Sequence, residues 1–182
     1  MAANAENVVT VDGGILYLAP AGTTGPTDAS SPLPSAFKDL GYWAEEGATV
    51  TPVPGDAVAI NGHTGAPVIR KTKKGNVTLQ FPFIELNKEV FETYWDTTVA
   101  SDGSYEIDNG SANKEYALVY ERMFNNGKVD RQFAPRVSIS ERGAQANSEG
   151  DALTHSISFG TLTPAEGGPQ IKGWNEVLAD GS

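Results

Sequence analysis

The side chains best suited to chemistry in this chain are few and poorly grouped. His63 lies in Asn61-Gly62-His63-Thr64-Gly65, and His155 lies beside Ser156 in a later apolar segment. Two histidines distant in sequence can meet in a fold, but neither a serine elbow nor a His-Glu-x-x-His helix accompanies them. The plainer reading is that both are surface or satisfied histidines. Asp102, Glu106 and Asp108 offer oxygens near one another, as calcium requires, but the spacing misses the calcium-loop pattern and its closing bidentate glutamate. A solvated turn is favoured there. Glu45 and Glu46 are adjacent, so on a strand they point to opposite faces, which weakens an acid/base role. The absence of cysteine removes disulfides, thiol catalysis and thiolate metal sites. The reading is of a protein that is not an enzyme and uses no metal or cofactor.

Arg70, Lys71, Lys73 and Lys74 form the one basic cluster. Without interleaved aromatics it lacks the stacking platforms of a nucleic-acid patch. It reads either as a solvated hairpin tip or as an interface that meets negative sites on an identical neighbour. The chain as a whole is acidic, with a formal net charge of -10, which argues against adhesive contact with nucleic acid. With 39% hydrophobic residues, 182 residues form most simply one domain with a real core. No apolar stretch reaches membrane-spanning length, and the first residues lack the basic start and apolar core of a secretion signal.

The elements that must position these groups are mostly strands. Residues 14–19 read as a first strand. The region 47–62 is interrupted by Pro52, Pro54 and Gly55 and resumes with Ala57-Val-Ala-Ile60, which predicts one bulged or irregular strand. Residues 67–73 and 76–84 flank Lys74-Gly75, read as a hairpin turn, and Val77, Leu79, Phe81 and Phe83 alternate with Thr78, Gln80 and Pro82. One helix is expected over about 87–98. Asn87 can cap it, and Val90, Phe91, Tyr94, Trp95 and Thr98 form a wide apolar stripe that should cross a sheet face. A second hairpin joins 114–124 to 128–140 through Asn125-Asn126-Gly127. Apolar residues on both faces of its first arm predict a sheet covered on two sides. A last strand spans 151–159. Residues 1–13 and 164–182 read as N-terminal and C-terminal arms, with Trp174 an isolated anchor.

Between the first strand and Phe37, residues 20–40 form a loop too long for a compact domain to keep without use. Pro32 and Pro34 stiffen it, and Leu33 and Phe37 are apolar anchors. The passage carries Ala19-Pro20, Gly22-Thr23, Pro26-Thr27-Asp28-Ala29, Leu33-Pro34, Ala36-Phe37, Asp39-Leu40-Gly41-Tyr42, Glu46-Gly47 and Thr49. It resembles the start of the major tail tube proteins of long-tailed, siphovirus-type bacteriophages, particularly those of actinobacterial hosts. The order of hairpin, helix, hairpin and strand is similar over roughly residues 10–165.

The resemblance implies a mainly β subunit, an antiparallel sandwich or barrel with one flanking helix and long loops or arms. It implies hexameric rings that stack into a tail tube, assembled in the bacterial host cytoplasm and carried in the virion. The lumen would hold the tape-measure protein and later pass genomic DNA without binding it. Tail tip or baseplate, tail terminator and tail assembly chaperone proteins would be the other partners. A six-membered ring would carry about -60, before local neutralisation, and so repel phosphate. On this reading Leu33, Pro34, Phe37, Arg70, Lys71, Lys73, Lys74 and Trp174 are subunit-interface candidates, and Glu115 and Glu121 are lumen-lining candidates. The rival from another class is a monomeric β-sandwich binding module, carbohydrate-binding or adhesin-like. It would need an exposed aromatic platform, for which Trp43, Trp95 and Trp174 are the candidates.

Overall fold

The structure, a computed structural model, describes residues 8–108, 114–145 and 148–179. Ten strands and two helices follow one another: β1 (Val11–Pro20), β2 (Lys38–Asp39), β3 (Thr49–Val53), β4 (Ala57–Asn61), β5 (Pro67–Thr72), β6 (Asn76–Phe83), α1 (Lys88–Trp95), β7 (Glu115–Phe124), β8 (Val129–Arg142), β9 (His155–Thr161), β10 (Lys172–Asn175) and α2 (Glu176–Ala179). Eight strands form one antiparallel sheet in the order β2-β1-β7-β8-β9-β6-β3, with β10 beside β8, and β4 and β5 pair only with each other. The mainly β, antiparallel fold class expected from the sequence is the one observed.

The ends of that sheet meet. β2 and β3 lie on one continuous segment, which leaves β1 through Leu40 N–H to Leu16 O (3.0 Å) and reaches β6 through Ala44 N–H to Pro82 O (2.8 Å). Trp43 bridges to Phe83. β6 and β7 are separated by β9 and β8, roughly 14 Å across a flat sheet at the usual strand spacing. Yet the Phe81 and Tyr120 rings sit 5.1 Å apart, centroid to centroid. Only a sheet curled back on itself allows that contact.

The concave side holds the main core. Alternation places Leu16 and Leu18 of β1, Leu79, Phe81 and Phe83 of β6, Leu118 and Tyr120 of β7, and Ile157 and Phe159 of β9 in one cluster. Helix α1 closes one side. Asn87 Oδ1 accepts the Val90 N–H, Asp96 ends the helix in the left-handed region at φ 53°, and Val90, Thr93 and Tyr94 are buried. The stripe therefore stops short of Thr98, which lies beyond the cap. The convex side of β7 has its own small cluster, Ala117 and Val119 with Ala19 and Phe37, so both faces of that strand are covered as expected.

Three expectations are corrected. The region 47–62 is two strands in two sheets. Lys74-Gly75 is not a hairpin turn, because β5 pairs with β4 and β6 pairs with β3 and β9. Gly75 is needed for a different reason: a Cβ there would lie 2.0 Å from Val53 O, and one on Gly55 would lie 2.3 Å from Lys73 O. The two glycines form a neck where the outgoing and returning chains touch, and the real turn is Gly62–Gly65 at the far end of the β4–β5 ribbon. The basic cluster thus lies along β5 and the neck instead of at a tip. Third, the tail is not simply an arm. β10 pairs with Phe133–Asp130 of β8, Ile171 packs on the core, and Gln170 Nε2 donates to Gly75 O (3.0 Å). Residues 1–7 and 180–182 of the expected arms, and Asn109 and Gly110 of the acidic segment, lie outside the described residues.

His155 is fully buried at the start of β9, edge-on to Tyr94 (5.0 Å) and Phe91 (6.3 Å) of α1. Neither ring nitrogen finds a hydrogen-bond partner among the described residues, so it is neither the surface nor the satisfied histidine expected. Burial pushes its pKa below the ordinary imidazole value. A depressed folded pKa means that stability is full above about pH 6.5 and falls as the pH drops below it, because the unfolded chain takes up the proton first. The urea midpoint should therefore fall between pH 7.5 and 5 in the native chain and stay nearly flat in His155→Leu. Equal slopes in the two proteins would remove His155 from the account.

Candidate assembly surfaces

The long loop folds onto its own subunit. Asp28 organises it, accepting the backbone N–H groups of Ser30 (2.8 Å) and Ser31 (2.5 Å) on Oδ1. Those N–H groups hold the Asp28 carboxyl below the usual carboxylate range. The turn presents two carbonyls to Arg131 on β8, whose Nη1 donates to Asp28 O (3.0 Å) and Ser31 O (2.7 Å). The other arm of the guanidinium reaches Glu121 on β7 at 2.7 Å. Leu33 packs against the convex cluster, and Phe37 is buried there, edge-on to Phe133 at 6.5 Å. Pro32 and Pro34 stay exposed.

The structure therefore gives Leu33 and Phe37 partners within their own chain. Glu121 lies under the loop with its side chain 14% exposed. Glu115 is paired with Arg136 (Oε2 to Nε, 2.7 Å) and about a third exposed, and that guanidinium holds its carboxyl below the usual range. Neither acid meets Arg70 or the lysines of the cluster. Trp174 on β10 is half-buried, with Lys172 Nζ 4.8 Å over its ring. Trp43 packs on Phe81 (5.6 Å) and Trp95 on Tyr94 (5.0 Å), so neither supplies an exposed aromatic platform.

The chemical groups of the sequence remain apart. His63 sits exposed at the ribbon's turn, far in environment from buried His155. Asp102 accepts from Ser104 N–H (3.0 Å) and Oγ (2.7 Å) in an exposed turn, and among the described residues no three His, Asp or Glu side chains converge as metal ligands.

What stands out is unpaired backbone. β2 covers only Tyr17 and Leu18 of β1, so Asp12–Ile15 carries no strand on that side among the described residues. β3 likewise pairs on one side only, with β6. The β4–β5 ribbon is exposed at every residue of both strands. Sequence reasoning singled out the ribbon's cations but missed Arg131 and Asp28. An arginine inside an otherwise apolar alternation, and Asp-x-Ser-Ser in a loop, were the available signals.

A curled antiparallel sheet with open strand edges and a bare ribbon has the build of a structural subunit, shaped to be joined to others. The family model for phage tail tube proteins matches residues 1–174, and the chain belongs to that family. No curated protein matches the chain. It is a structural protein of the phage tail and a virion component, associating with copies of itself and with other tail proteins. Among the described residues no helix is long and apolar enough to cross a membrane.

Proposed function

We propose that six copies of this chain close into a ring, and that rings stack into the tube of a long non-contractile tail. The lumen holds the tape-measure protein and later conducts genomic DNA into the host. The observation that carries this reading is the pair of open edges on the main sheet, Asp12–Ile15 of β1 and the outer edge of β3, flanking strands β7, β8, β9 and β6 that are each paired on both sides. Exposed edges are liabilities in a monomer and joints in a ring. Pairing between neighbours would extend the subunit sheets into one wall.

The interface residues fall into two groups. Arg70, Lys71, Lys73 and Lys74 serve contacts made by the ribbon. The 20–40 loop presents exposed Pro32 and Pro34 to a neighbour, with Leu33 and Phe37 riveting it to its own sheet, and Trp174 borders the same side of β8. The lumen is net negative or neutral, because lysines or arginines facing it would hold phosphates and stall the genome. Glu115, partly exposed, suits such a lining better than Glu121, which the loop covers. Tail tip, terminator and assembly chaperone proteins act on the subunit in the host cytoplasm before it enters the virion.

Electron microscopy of the purified protein, supplied with tail-tip complex and tape-measure protein, tests this reading. Six-fold rings and tubes with an acidic or neutral channel are expected. A chain that stays monomeric under those conditions overturns it, and a dense unpaired Lys/Arg lining overturns the sign of the lumen.

A further inference from the structure

We propose that α1 and the residues after it, 88–107 together, form one flap that acid releases: when His155 beneath it takes up a proton, the flap lifts while the strands stay paired. His155 opens β9, the strand that α1 lies against, and none of its surface is exposed. Tyr94 and Phe91 of α1 cover it edge-on, and Phe83 of β6 stands opposite it in register. Neither ring nitrogen has a hydrogen-bond partner among the described residues. A neutral imidazole already gives up its water in that place. An imidazolium would give up far more, because a buried charge without a partner is costly.

The surrounding groups do not offset that cost. From α1 the facing titratable group is Tyr94, whose hydroxyl donates to Gly143 O. Lys88 and Glu89 are exposed, and Glu92 is engaged by Lys88 and by the Val99 N–H. Beyond the helix Asp96 pairs with Lys114, and Asp102, Glu106 and Asp108 are exposed. From β6 the facing residue is Phe83, which carries no charge. From β8 come Glu141 and Arg142, both exposed. The charge of Arg142 is felt at the Tyr94 hydroxyl, where it favours the phenolate, and it would oppose a second cation there. Before β9, Asp151 is exposed and accepts the Ser148 hydroxyl. None of these carboxylates hydrogen-bonds the imidazole.

The flap is built to move as a unit. Val99 N–H donates to Glu92 Oε1 (2.7 Å), Lys88 Nζ to Val99 O (3.0 Å) and Thr97 Oγ1 to Glu106 O (2.6 Å), and the Tyr105 ring meets Phe91 at 4.6 Å. Its ties to the rest of the fold are sparser. Asn87 Nδ2 donates to Leu40 O (3.2 Å) at one end, Lys114 pairs with Asp96 at the other, and Tyr94 bonds Gly143 O between them. Val90 and Tyr94 supply the apolar hold on the core. Such an element opens at lower cost than the eight-stranded ladder beneath it. The closed flap keeps His155 neutral, whereas an open flap lets it titrate near its ordinary value of about 6.5. Opening is therefore constant above about pH 7.5 and grows as the pH falls, by up to about thirtyfold at pH 5.

Hydrogen exchange of the unpolymerised subunit tests this, read by mass spectrometry for each peptide and corrected for the intrinsic effect of pH. Between pH 7.5 and 5 the amides of residues 91–95 should gain up to about thirtyfold in corrected exchange rate, while those of β7 and β8 stay protected. His155→Leu should flatten the response of the helix. Tyr94→Phe removes only the hydroxyl bond to Gly143, so it should speed exchange at both pH values and keep the ratio between them. An unchanged corrected rate in the helix would overturn the inference. Equal loss of protection in β7 and β8 would mean global unfolding and would also overturn it, as would a pH response that persists in His155→Leu. The flap belongs to the single subunit, so none of these outcomes bears on ring assembly. If His155→Leu does not fold, NMR titration of the His155 ring protons in the wild type decides: a pKa clearly below about 6.5 supports the flap, and one at or above it overturns it.

Discussion

Phe81→Ala should remove about 3–5 kcal/mol of folding stability, the range for deleting a fully buried phenylalanine. Phe81 is completely buried on β6, and its ring meets Trp43 (5.6 Å), Phe83 (6.0 Å), Tyr120 (5.1 Å) and Phe159 (6.4 Å). These partners come from the seam segment, from β6 itself and from β7 and β9, so the ring ties the curl of the sheet together. Neighbours drawn from four parts of the fold cannot all collapse into the space left, which puts the cost toward the upper end. Against a total of about 5–15 kcal/mol, that loss would leave much of the protein unfolded at modest denaturant. Urea unfolding will show it as a lower midpoint with an unchanged slope. Phe81→Leu, which keeps most of the volume, should cost distinctly less. A loss under about 1 kcal/mol in the alanine variant would mean that the curl is held elsewhere.

Arg131→Met should cost nearly as much by another route. Its side chain is 8% exposed and that of Glu121 is 14% exposed, at 2.7 Å. Removing the guanidinium leaves a buried carboxylate without its partner, which costs about 3–5 kcal/mol. It also orphans the carbonyls of Asp28 and Ser31, so the loop loses its tie to β8. The double variant Arg131→Met/Glu121→Leu should recover a large part of the loss, since a buried pair replaced by apolar groups is often neutral. Equilibrium unfolding of wild type, both single variants and the double variant closes the cycle. If the double variant is as unstable as Arg131→Met, the damage lies in the loop tie and not in the stranded charge. Limited subtilisin digestion separates the two, because a released loop should be cut in the double variant as well.

Local patterns carried much of the fold. The alternation of Val77, Leu79, Phe81 and Phe83 identified β6 and its buried face, since a period of two has one geometric meaning. Asn87 marked the start of α1 for a covalent reason: its side chain can reach the N–H three residues on. Asn125-Asn126-Gly127 marked the β7–β8 turn, although only Gly127 adopts a positive φ, 76°. The residue pattern of 19–49 resembles the tail tube family, and the match over residues 1–174 shows that family.

Pairing partners were not legible, because a strand's sequence states its faces and not its neighbour. Gly75 signals a permissive backbone equally well for a turn and for a close approach, and only the crossing of Val53 and Gly75 decided between them. Leu33 and Phe37 look alike as free anchors or as internal ones. The convex face of β7, assembled from residues some eighty positions away, made them internal. His155 shows the same limit: its type says that it can titrate, but its burial without a hydrogen-bond partner follows from α1 packing over β9. The β class, the helix, the acidic body and the cationic segment are properties of composition and local period, and so could be read along the chain. That the cations lie along a bare two-stranded ribbon, while Arg131 and Glu121 meet beneath the loop, follows from the tertiary structure. Distances between residues remote in the chain are set by packing and strand closure, not by local period.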